Sequence, residues 1–246
     1  MEPDLSIAVI ADIHGNIWAL DAVLADIDQR GITQIVDLGD TVYGPFAPRE
    51  TAQRLRERRI LSVRGNCDRE IYEEQTDQSA SLMYTRAQLV REDLDWLRTF
   101  PATLVVAGAI LLCHGTPDAD TTYLTEEPTL QGSCLRPIAA IEAALTGVAY
   151  PVICCAHSHI PRVIMTTTQQ LIINPGSVGM PAYADGACPM EVGSPHARYA
   201  ILHQRAGRWS VEQVVLHYDW SAAAEAARLH EQPDRAFMQM TGLVPR

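Results

Sequence analysis

The feature that most constrains this fold is an apolar, β-branched run from Ser6 to Ala11 that stops at Asp12. Uninterrupted apolar runs of this kind are typical of strands that are buried on both faces. A helix pattern follows at once, because Asn16 is a good N-cap and the apolar residues up to Ile27 share one helical face. A buried strand followed directly by an amphipathic helix predicts an α/β fold.

The same alternation continues through residue 63, with strands predicted at 34–38 and 60–63 and a helix at 48–59. Strands that alternate with helices favour a parallel sheet. Residues 69–100 interrupt this pattern, because they are polar and have a helical pattern from about residue 79. We expect them to form a helical insertion over the edge of the sheet that acts as a lid.

Beyond residue 100 the pattern changes from parallel units to antiparallel hairpins. A polar loop and a helix near 135–145 separate two groups of strands, and a final helix starts near Ser221. The strands are predicted at residues 103–106, 109–113, 152–155, 162–167, 171–173, 199–204 and 209–217. We therefore expect two stacked mixed β-sheets flanked by helices, a four-layer α-β-β-α sandwich, in one domain of residues 1–242. Residues 243–246 resemble a thrombin-site remnant and are left out of this reasoning.

Charge and composition exclude several functional classes. A formal net charge of -11 argues against a surface for duplex nucleic acid. All 19 basic residues are arginine, and without lysine the chain has neither a P-loop nor a Schiff-base mechanism. No apolar run approaches about 18 residues and the N-terminus lacks a basic signal region, so we expect no membrane span. Six cysteines without a Cys-x-x-Cys pair favour a reduced, cytoplasmic protein.

Side chains with metal-binding chemistry follow the predicted strands, at the edge where open α/β sheets carry their active sites. Oxygen and imidazole donors without a thiolate suit manganese, iron or zinc, and seven donors suit two such divalent ions in a shared site. One donor must then bridge the ions, and the two oxygens of Asp40 suit that role. The seven donors are Asp12, His14, Asp40, Asn66, His114, His157 and His159. Two metals can clamp a phosphoryl group and activate a hydroxide.

These donors lie in short motifs whose order resembles the calcineurin-like metallophosphoesterase superfamily. The motifs are Asp12-x-His14, Gly39-Asp40, Gly65-Asn66-x-Asp68, His114-Gly115 and His157-x-His159. The stretches Ala11-Asp-Ile-His-Gly-Asn16 and Asn174-Pro-Gly-Ser-Val-Gly179 resemble the small prokaryotic branch, which contains phosphodiesterases and dinucleoside polyphosphate hydrolases. The resemblance implies one metal on Asp12, His14, Asp40 and His159, and a second on Asp40, Asn66, His114 and His157.

The resemblance also implies a function. We expect a two-metal-dependent phosphoesterase that hydrolyses phosphodiester or phosphoanhydride bonds of small nucleotide-like substrates with a metal-activated hydroxide. Its partner is then a small phosphorylated substrate, with no nucleic acid duplex and no membrane. Two alternatives stay open, a protein serine/threonine phosphatase and a non-catalytic interaction scaffold on the same fold. The sequence predicts no oligomeric state.

The resemblance departs at Cys67, where many members of the superfamily carry a histidine near the leaving group. A thiol, with a pKa near 8.5, is a poorer proton donor at neutral pH than an imidazole with a pKa near 6.5. We therefore expect a preference for good leaving groups, with Asn66, Cys67 and Asp68 as candidate catalytic residues. Arg64, Asn66 and Ser177 are candidate substrate ligands. Arg64 is either a surface residue or a phosphate contact, and the turn with Ser177 is either structural or an N–H nest for phosphate.

Overall fold

A computed structural model describes residues 5–73 and 79–246 of the chain. The strands in these parts are β1 (Leu5–Ile10), β2 (Gln34–Asp37), β3 (Leu61–Ser62), β4 (Thr103–Val106), β5 (Ile110–Cys113), β6 (Glu126–Thr129), β7 (Gly132–Leu135), β8 (Val152–Cys154), β9 (Arg162–Met165), β10 (Leu171–Asn174), β11 (Ala182–Asp185), β12 (Cys188–Glu191), β13 (Ala197–Arg205) and β14 (Arg208–Leu216). The helices are α1 (Ile17–Gln29), α2 (Pro48–Glu57), α3 (Asn66–Tyr72), α4 (Ala80–Gln88), α5 (Arg91–Leu97), α6 (Ile138–Ala144), α7 (Trp220–Leu229) and α8 (Pro233–Thr241). None of these described helices has the length and apolar character needed to cross a membrane.

Most of the strands form two mixed sheets of five strands each. The first sheet has the order β14-β13-β1-β2-β3, in which β1, β2 and β3 run parallel and β13 pairs antiparallel with β1 and β14. The second sheet has the order β4-β5-β8-β10-β9, in which β5, β8 and β10 run parallel. In the first sheet, Val9 lies between Val36 of β2 and Ala200 of β13. The predicted pair of mixed sheets is confirmed.

The core shows how these sheets are stacked, because alternate residues of a strand face opposite sides of its sheet. Ile7 and Val9 of β1 are buried between the two sheets, in one cluster with Leu112 of β5. Ala8 and Ile10 face the other way and are buried with residues of α1 and α7. On the far side of the second sheet, β5 and β8 pack against α6. Helices, sheet, sheet and helix form the predicted four layers.

The predicted helical insertion at 69–100 is formed by three short helices in its described part. Its first helix, α3, begins already at Asn66, and extended backbone at Leu89 and Val90 separates α4 from α5. Ser79 caps α4, because its Oγ accepts a hydrogen bond from the Leu82 backbone N–H at 3.2 Å. The apolar faces of these helices pack against Val42, next to the loop after β2.

Two short hairpins and one helix break differ from the sequence prediction. The polar loop predicted after residue 116 contains the hairpin β6–β7, and a second hairpin, β11–β12, packs beside it. The strand Glu126–Thr129 has no apolar alternation, which is why its sequence reads as a loop. The single C-terminal helix predicted from Ser221 is two helices, because Pro233 starts α8 at the position that favours proline.

The chain ends just beyond α8. Gly242 closes this helix in a left-handed conformation, with φ of 69°. In the last four residues, the Val244 N–H donates a hydrogen bond of 2.7 Å to Glu191 Oε1 of β12. That residues 243–246 are a thrombin-site remnant stays a prediction.

Candidate metal centre and active site

The predicted metal ligands all follow strands that run parallel within their sheets. Parallel strands in one sheet end at a common edge, which is where open α/β sheets bind ligands. Three strands of the first sheet and two of the second deliver them. Asp12 and His14 follow β1, Asp40 follows β2, Asn66 follows β3, His114 follows β5, and His157 and His159 follow β8. The site therefore lies where the edges of the two sheets meet.

The donor atoms of these residues form two triads, each within 4.8 Å. The triads are Asp12, His14 and His159, and Asp40, His114 and His157. Asp40 Oδ2 lies 3.7 Å from His14 Nε2 and 3.5 Å from His114 Nε2. Asn66 Oδ1 lies 3.2 Å from His114 Nε2 and so joins the second triad. A single oxygen of Asp40 faces both triads, which is the geometry that a bridging ligand requires.

Backbone carbonyls orient three of the histidines. In each ring Nδ1 lies at hydrogen-bond distance from a carbonyl oxygen, which can only accept, so Nδ1 carries the hydrogen. The pairs are His14 with Tyr43 at 2.9 Å, His114 with Leu38 at 2.7 Å, and His159 with Met180 at 2.7 Å. This leaves Nε2 as the atom that faces the cluster, as metal-binding histidines require.

Two contacts show that these residues fit a cation. Both carboxylate oxygens of Asp12 are buried and have no hydrogen-bond donor among the described residues, which is costly for a charged group. His14 Nε2 and His159 Nε2 lie only 3.2 Å apart, so two nitrogen lone pairs point toward one another. A divalent ion satisfies both arrangements, and the oxygen and imidazole donors suit manganese, iron or zinc.

Burial and neighbouring charges set the ionisation of the cluster. Burial opposes charge on Asp12 and Asp40, but the nearby histidines outweigh it and hold both carboxyl pKa values below their usual range. Burial lowers the pKa of His14 to about 4, and burial together with His114 lowers the pKa of His157 to about 4. Burial also acts against a charged His114, but Asp40 beside it raises its pKa to about 10. At neutral pH, four of these five groups thus have the protonation state that binds metal.

Five of the predicted ligands adopt a left-handed backbone conformation, which costs a non-glycine residue about 1–2 kcal/mol. Their φ angles are 52° for Asp12, 52° for His14, 56° for Asp40, 68° for His157 and 60° for His159. Hydrogen bonds between loops hold this conformation, since the Asp12 N–H donates to Gly39 O and the His14 N–H donates to Asp40 O. Such backbone strain concentrates at functional sites, and no sequence pattern predicted it.

The cleft above these residues has a volume of about 360 Å³. Five of the seven predicted ligands line it, and so do Cys67 and several residues that the sequence did not single out, among them Tyr43, Tyr123, Tyr183 and Arg235. The Tyr123 ring stacks on His157, with centroids 4.6 Å apart, and its hydroxyl lies 2.8 Å from that of Tyr183. These residues come from separate loops, from β11 and from α8, so only the folded chain brings them together.

The sequence model of one protein family, the calcineurin-like phosphoesterase superfamily domain, matches residues 5–195 of this chain. The chain belongs to this superfamily. It is 28% identical over 251 residues to the uncharacterized protein MJ0912 of Methanocaldococcus jannaschii, covering 93% of this chain and 94% of that protein. It is 39% identical over 71 residues to phosphodiesterase YfcE of Escherichia coli K12, covering 25% of this chain and 39% of that protein.

Among solved structures, the chain is similar to a metallophosphoesterase from Sphaerobacter thermophilus. The TM-score is 0.75 at 25% identity, with 96% of this chain and 98% of that chain covered. The predicted superfamily resemblance is therefore confirmed, and so is the fold that it implied.

Asp68, a candidate catalytic residue, lies beneath the loop that carries Asp40, and its catalytic role stays a prediction. It is buried, and its carboxylate accepts hydrogen bonds from the N–H groups of Gly65, Asp40 and Thr41 and from the Thr41 hydroxyl, at 2.7–3.0 Å. With both oxygens engaged by the loop, Asp68 has no free lone pair directed at the cleft. These contacts suit a residue that positions Asp40.

Ser177, a candidate substrate ligand, makes its hydrogen bonds within the protein, and its contact with substrate stays a prediction. Its buried hydroxyl donates to Asp12 O at 2.8 Å and accepts from the Met180 N–H at 2.7 Å. In the same turn, the Gly179 N–H donates to Asp12 O and the Val178 N–H donates to Ala11 O. These groups are therefore occupied by the loop after β1, an arrangement that favours the structural interpretation of the turn over the phosphate nest.

Cys67 and Arg64 lie close to the site but in different surroundings. The Cys67 N–H donates to Asp40 Oδ1 at 2.9 Å, and its sulfur lies within 4.8 Å of donor atoms of His14 and Asp40. Burial and the nearby Asp40 raise the thiol pKa well above its usual range. Arg64 Nε lies 4.0 Å from Asp120, whose carboxylate binds Arg69 through two nitrogens. A substrate contact by Arg64 stays a prediction.

The described part of the predicted lid lies behind the wall of the cleft and does not line it directly. Within residues 5–73 and 79–246, the cleft lining comes from α3, several loops, β11 and α8, and not from α4 or α5. The insertion touches the cleft wall indirectly, through a hydrogen bond of 2.6 Å between Ser79 Oγ and the Tyr43 hydroxyl. Residues 74–78 lie outside the described residues, so the lid stays a prediction.

Replacing Asp68 by asparagine tests whether this residue positions the loop of Asp40 or takes part in catalysis. We expect the free energy of unfolding of metal-free protein to fall by about 2 kcal/mol, because the amide presents N–H groups to backbone N–H donors. Urea unfolding of parent and variant measures this, with exposed Asp234→Asn as a control for loss of charge. Unchanged stability together with a large loss of kcat would instead support a catalytic role.

Proposed function

We propose that this chain is a phosphoesterase that uses two divalent transition-metal ions, manganese, iron or zinc, to hydrolyse phosphodiester or phosphoanhydride bonds of small nucleotide-like substrates. The observation that carries the proposal is the pair of donor triads at one cleft, with Asp40 Oδ2 of the second triad also facing His14 of the first. Membership of the phosphoesterase superfamily and the similarity of a 71-residue segment to phosphodiesterase YfcE support the reaction class.

The residues of the chain divide this work between them. Divalent ions held here supply positive charge to phosphoryl oxygens and lower the pKa of water. Asp40 links the two triads, because its Oδ2 faces both of them. Its Oδ1 is held by a hydrogen bond from the Cys67 N–H. Asn66 places its amide at the same edge, with Oδ1 next to His114. Tyr123 shields one face of the His157 ring by stacking on it.

The cleft also favours a small substrate over a macromolecule. A volume of about 360 Å³ is at the lower end of the range for sites that enclose small ligands. The net charge of -11 disfavours binding to duplex nucleic acid. The proposed partner is therefore a small phosphorylated molecule.

A substrate panel in the presence of manganese tests the proposal. The panel contains an alkyl phosphomonoester, an aryl phosphodiester, a dinucleoside polyphosphate and a phosphoserine peptide. We expect hydrolysis of the diester and the polyphosphate, and loss of that activity with a chelator. Preference for the phosphopeptide would instead identify a protein phosphatase. Absence of hydrolysis at full metal content would support the scaffold alternative.

Cys67 leads to a prediction about leaving groups. A thiol is a weak proton donor at neutral pH, so kcat/KM of the parent should depend steeply on the pKa of the leaving group. Cys67→His should raise kcat/KM for poor leaving groups by about 10²-fold and flatten this dependence. A series of aryl esters with graded leaving-group pKa measures it, with Cys67→Ser as the control of similar size. A flat dependence in the parent would refute the missing-acid argument.

We also propose that the protein works in the reducing cytoplasm. All six cysteines are free, and they include the exposed Cys134 and the partly exposed Cys188. Such thiols persist where disulfides do not form readily.

A further inference from the structure

Arg235 reaches the cleft from α8, near the C-terminal end of the chain. Gln239 lies four residues after Arg235 in α8 and therefore on the same face of the helix. The buried Gln239 donates from Nε2 to Gly179 O at 2.8 Å and accepts from the Tyr218 hydroxyl at 2.7 Å. Asn16, two residues after His14, donates to Gln239 Oε1 at 3.4 Å. These bonds anchor α8 to the loops that carry the metal ligands.

The guanidinium of Arg235 has little to bind in the protein itself. Among the described residues, its one hydrogen bond is from Nη1 to the sulfur of Met180, and a thioether is a weak acceptor. No carboxylate in the described ranges lies within ion-pair distance of it, whereas Arg228 on α7 pairs with Glu225 at 3.1 Å. Burial lowers the pKa of Arg235, against smaller influences of Tyr43, Cys67 and the exposed Asp234. A guanidinium nevertheless stays charged, so a partly buried cation with unused donors faces the cleft.

We propose that Arg235 binds a second phosphoryl group of the substrate, next to the one that is attacked, and makes the site selective for phosphoanhydrides over singly charged diesters. This inference rests on the proposed function, in which the metal ions bound by the two triads would hold the first phosphoryl group. A planar guanidinium matches the oxygens of a phosphate through two parallel hydrogen bonds. A singly charged diester has no second anionic group for it.

Two other charged residues near the site suit this role less well. Arg64 lies 4.0 Å from Asp120, so its charge is already partly balanced. Asp185 also lines the cleft and accepts a hydrogen bond of 2.9 Å from the Tyr123 hydroxyl, and its carboxylate repels phosphate. The additional phosphoryl group is therefore placed at Arg235 and away from Asp185.

A binding experiment tests the inference without turnover. Calorimetry with manganese-loaded protein compares methylenediphosphonate, which has two linked phosphonate groups, with methylphosphonate. In Arg235→Gln we expect the Kd of the diphosphonate to rise about 10- to 100-fold, since a hydrogen bond to a charged group is lost. The Kd of methylphosphonate should change less than about 5-fold. Arg235→Lys should be intermediate and Arg228→Gln unchanged, with metal content and thermal stability of each variant checked. Equal changes for both ligands, or no change, would overturn the proposal.

A kinetic pair of substrates separates this inference from the proposed function. With bis(p-nitrophenyl) phosphate and a dinucleoside tetraphosphate, Arg235→Gln should lower kcat/KM about 10- to 100-fold for the tetraphosphate alone. An equal loss on both substrates would show that Arg235 does not select the second phosphoryl group. If metal-loaded parent protein hydrolyses neither substrate, the proposed function fails, and the calorimetric comparison still decides the role of Arg235.

Discussion

Replacement of Asp40 by asparagine is expected to lower kcat/KM by about 10³-fold and to weaken metal binding in both triads. The physical reason is that Asp40 Oδ2 lies within 3.7 Å of His14 Nε2 and 3.5 Å of His114 Nε2, so one charged oxygen serves both halves of the site. An amide is neutral and has one oxygen. If the amide oxygen still accepts the hydrogen bond from the Cys67 N–H, the NH₂ group of the amide points toward the metal-binding atoms of both triads. Elemental analysis after dialysis and steady-state kinetics with manganese measure the two effects.

His159→Ala provides the comparison, because this histidine belongs to the first triad alone. We expect this variant to lose mainly the first metal and to retain the second. Asp234→Asn removes the same charge from an exposed position and should leave metal content unchanged. Full metal content in Asp40→Asn would contradict the bridging assignment.

Removal of metal by a chelator is expected to lower the melting temperature by about 8–16 °C. A ligand present at about 1,000 times its Kd stabilises the native state by about 4 kcal/mol. For a chain of this size, each kcal/mol corresponds to about 2–4 °C. The structural reason is that the metal-free site keeps the buried carboxylate of Asp12 without a hydrogen-bond donor.

Scanning calorimetry with increasing manganese at constant ionic strength measures this stabilisation. In Asp12→Asn the increase in melting temperature with manganese should be smaller, because the first triad loses its charged donor. Identical melting temperatures with and without metal, in parent protein that binds metal by elemental analysis, would show that the metal does not bind the folded site in preference to the unfolded chain.

The sequence could predict what depends on local pattern. The apolar run before Asp12 and the N-cap at Asn16 define β1 and α1, and both are present. The ends of parallel strands meet at one edge, so the donors that follow those strands could be expected to converge there. The family resemblance then grouped the same donors into the two sets that the folded chain brings together.

What the sequence could not predict depends on contacts between distant segments. Arg235 and Tyr123 enter the cleft only because α8 and a long loop pack there. The roles of Asp68 and Ser177 depend on which backbone groups surround them, and no residue pattern records that. The hairpin β6–β7 was missed because its residues are mostly polar and its first strand contains Pro128.

The pairing of β1 with β13 has a consequence for how the chain is made. Leu5 is opposite Gln204, so during synthesis the second edge of β1 stays uncovered until β13, a strand much later in the chain, has been made. An open, apolar strand edge is a template for pairing with other chains. The region that matches the superfamily ends at residue 195, whereas β13 begins at Ala197. A fragment cut at that boundary would keep the metal ligands but expose β1, and would aggregate rather than serve as a minimal enzyme.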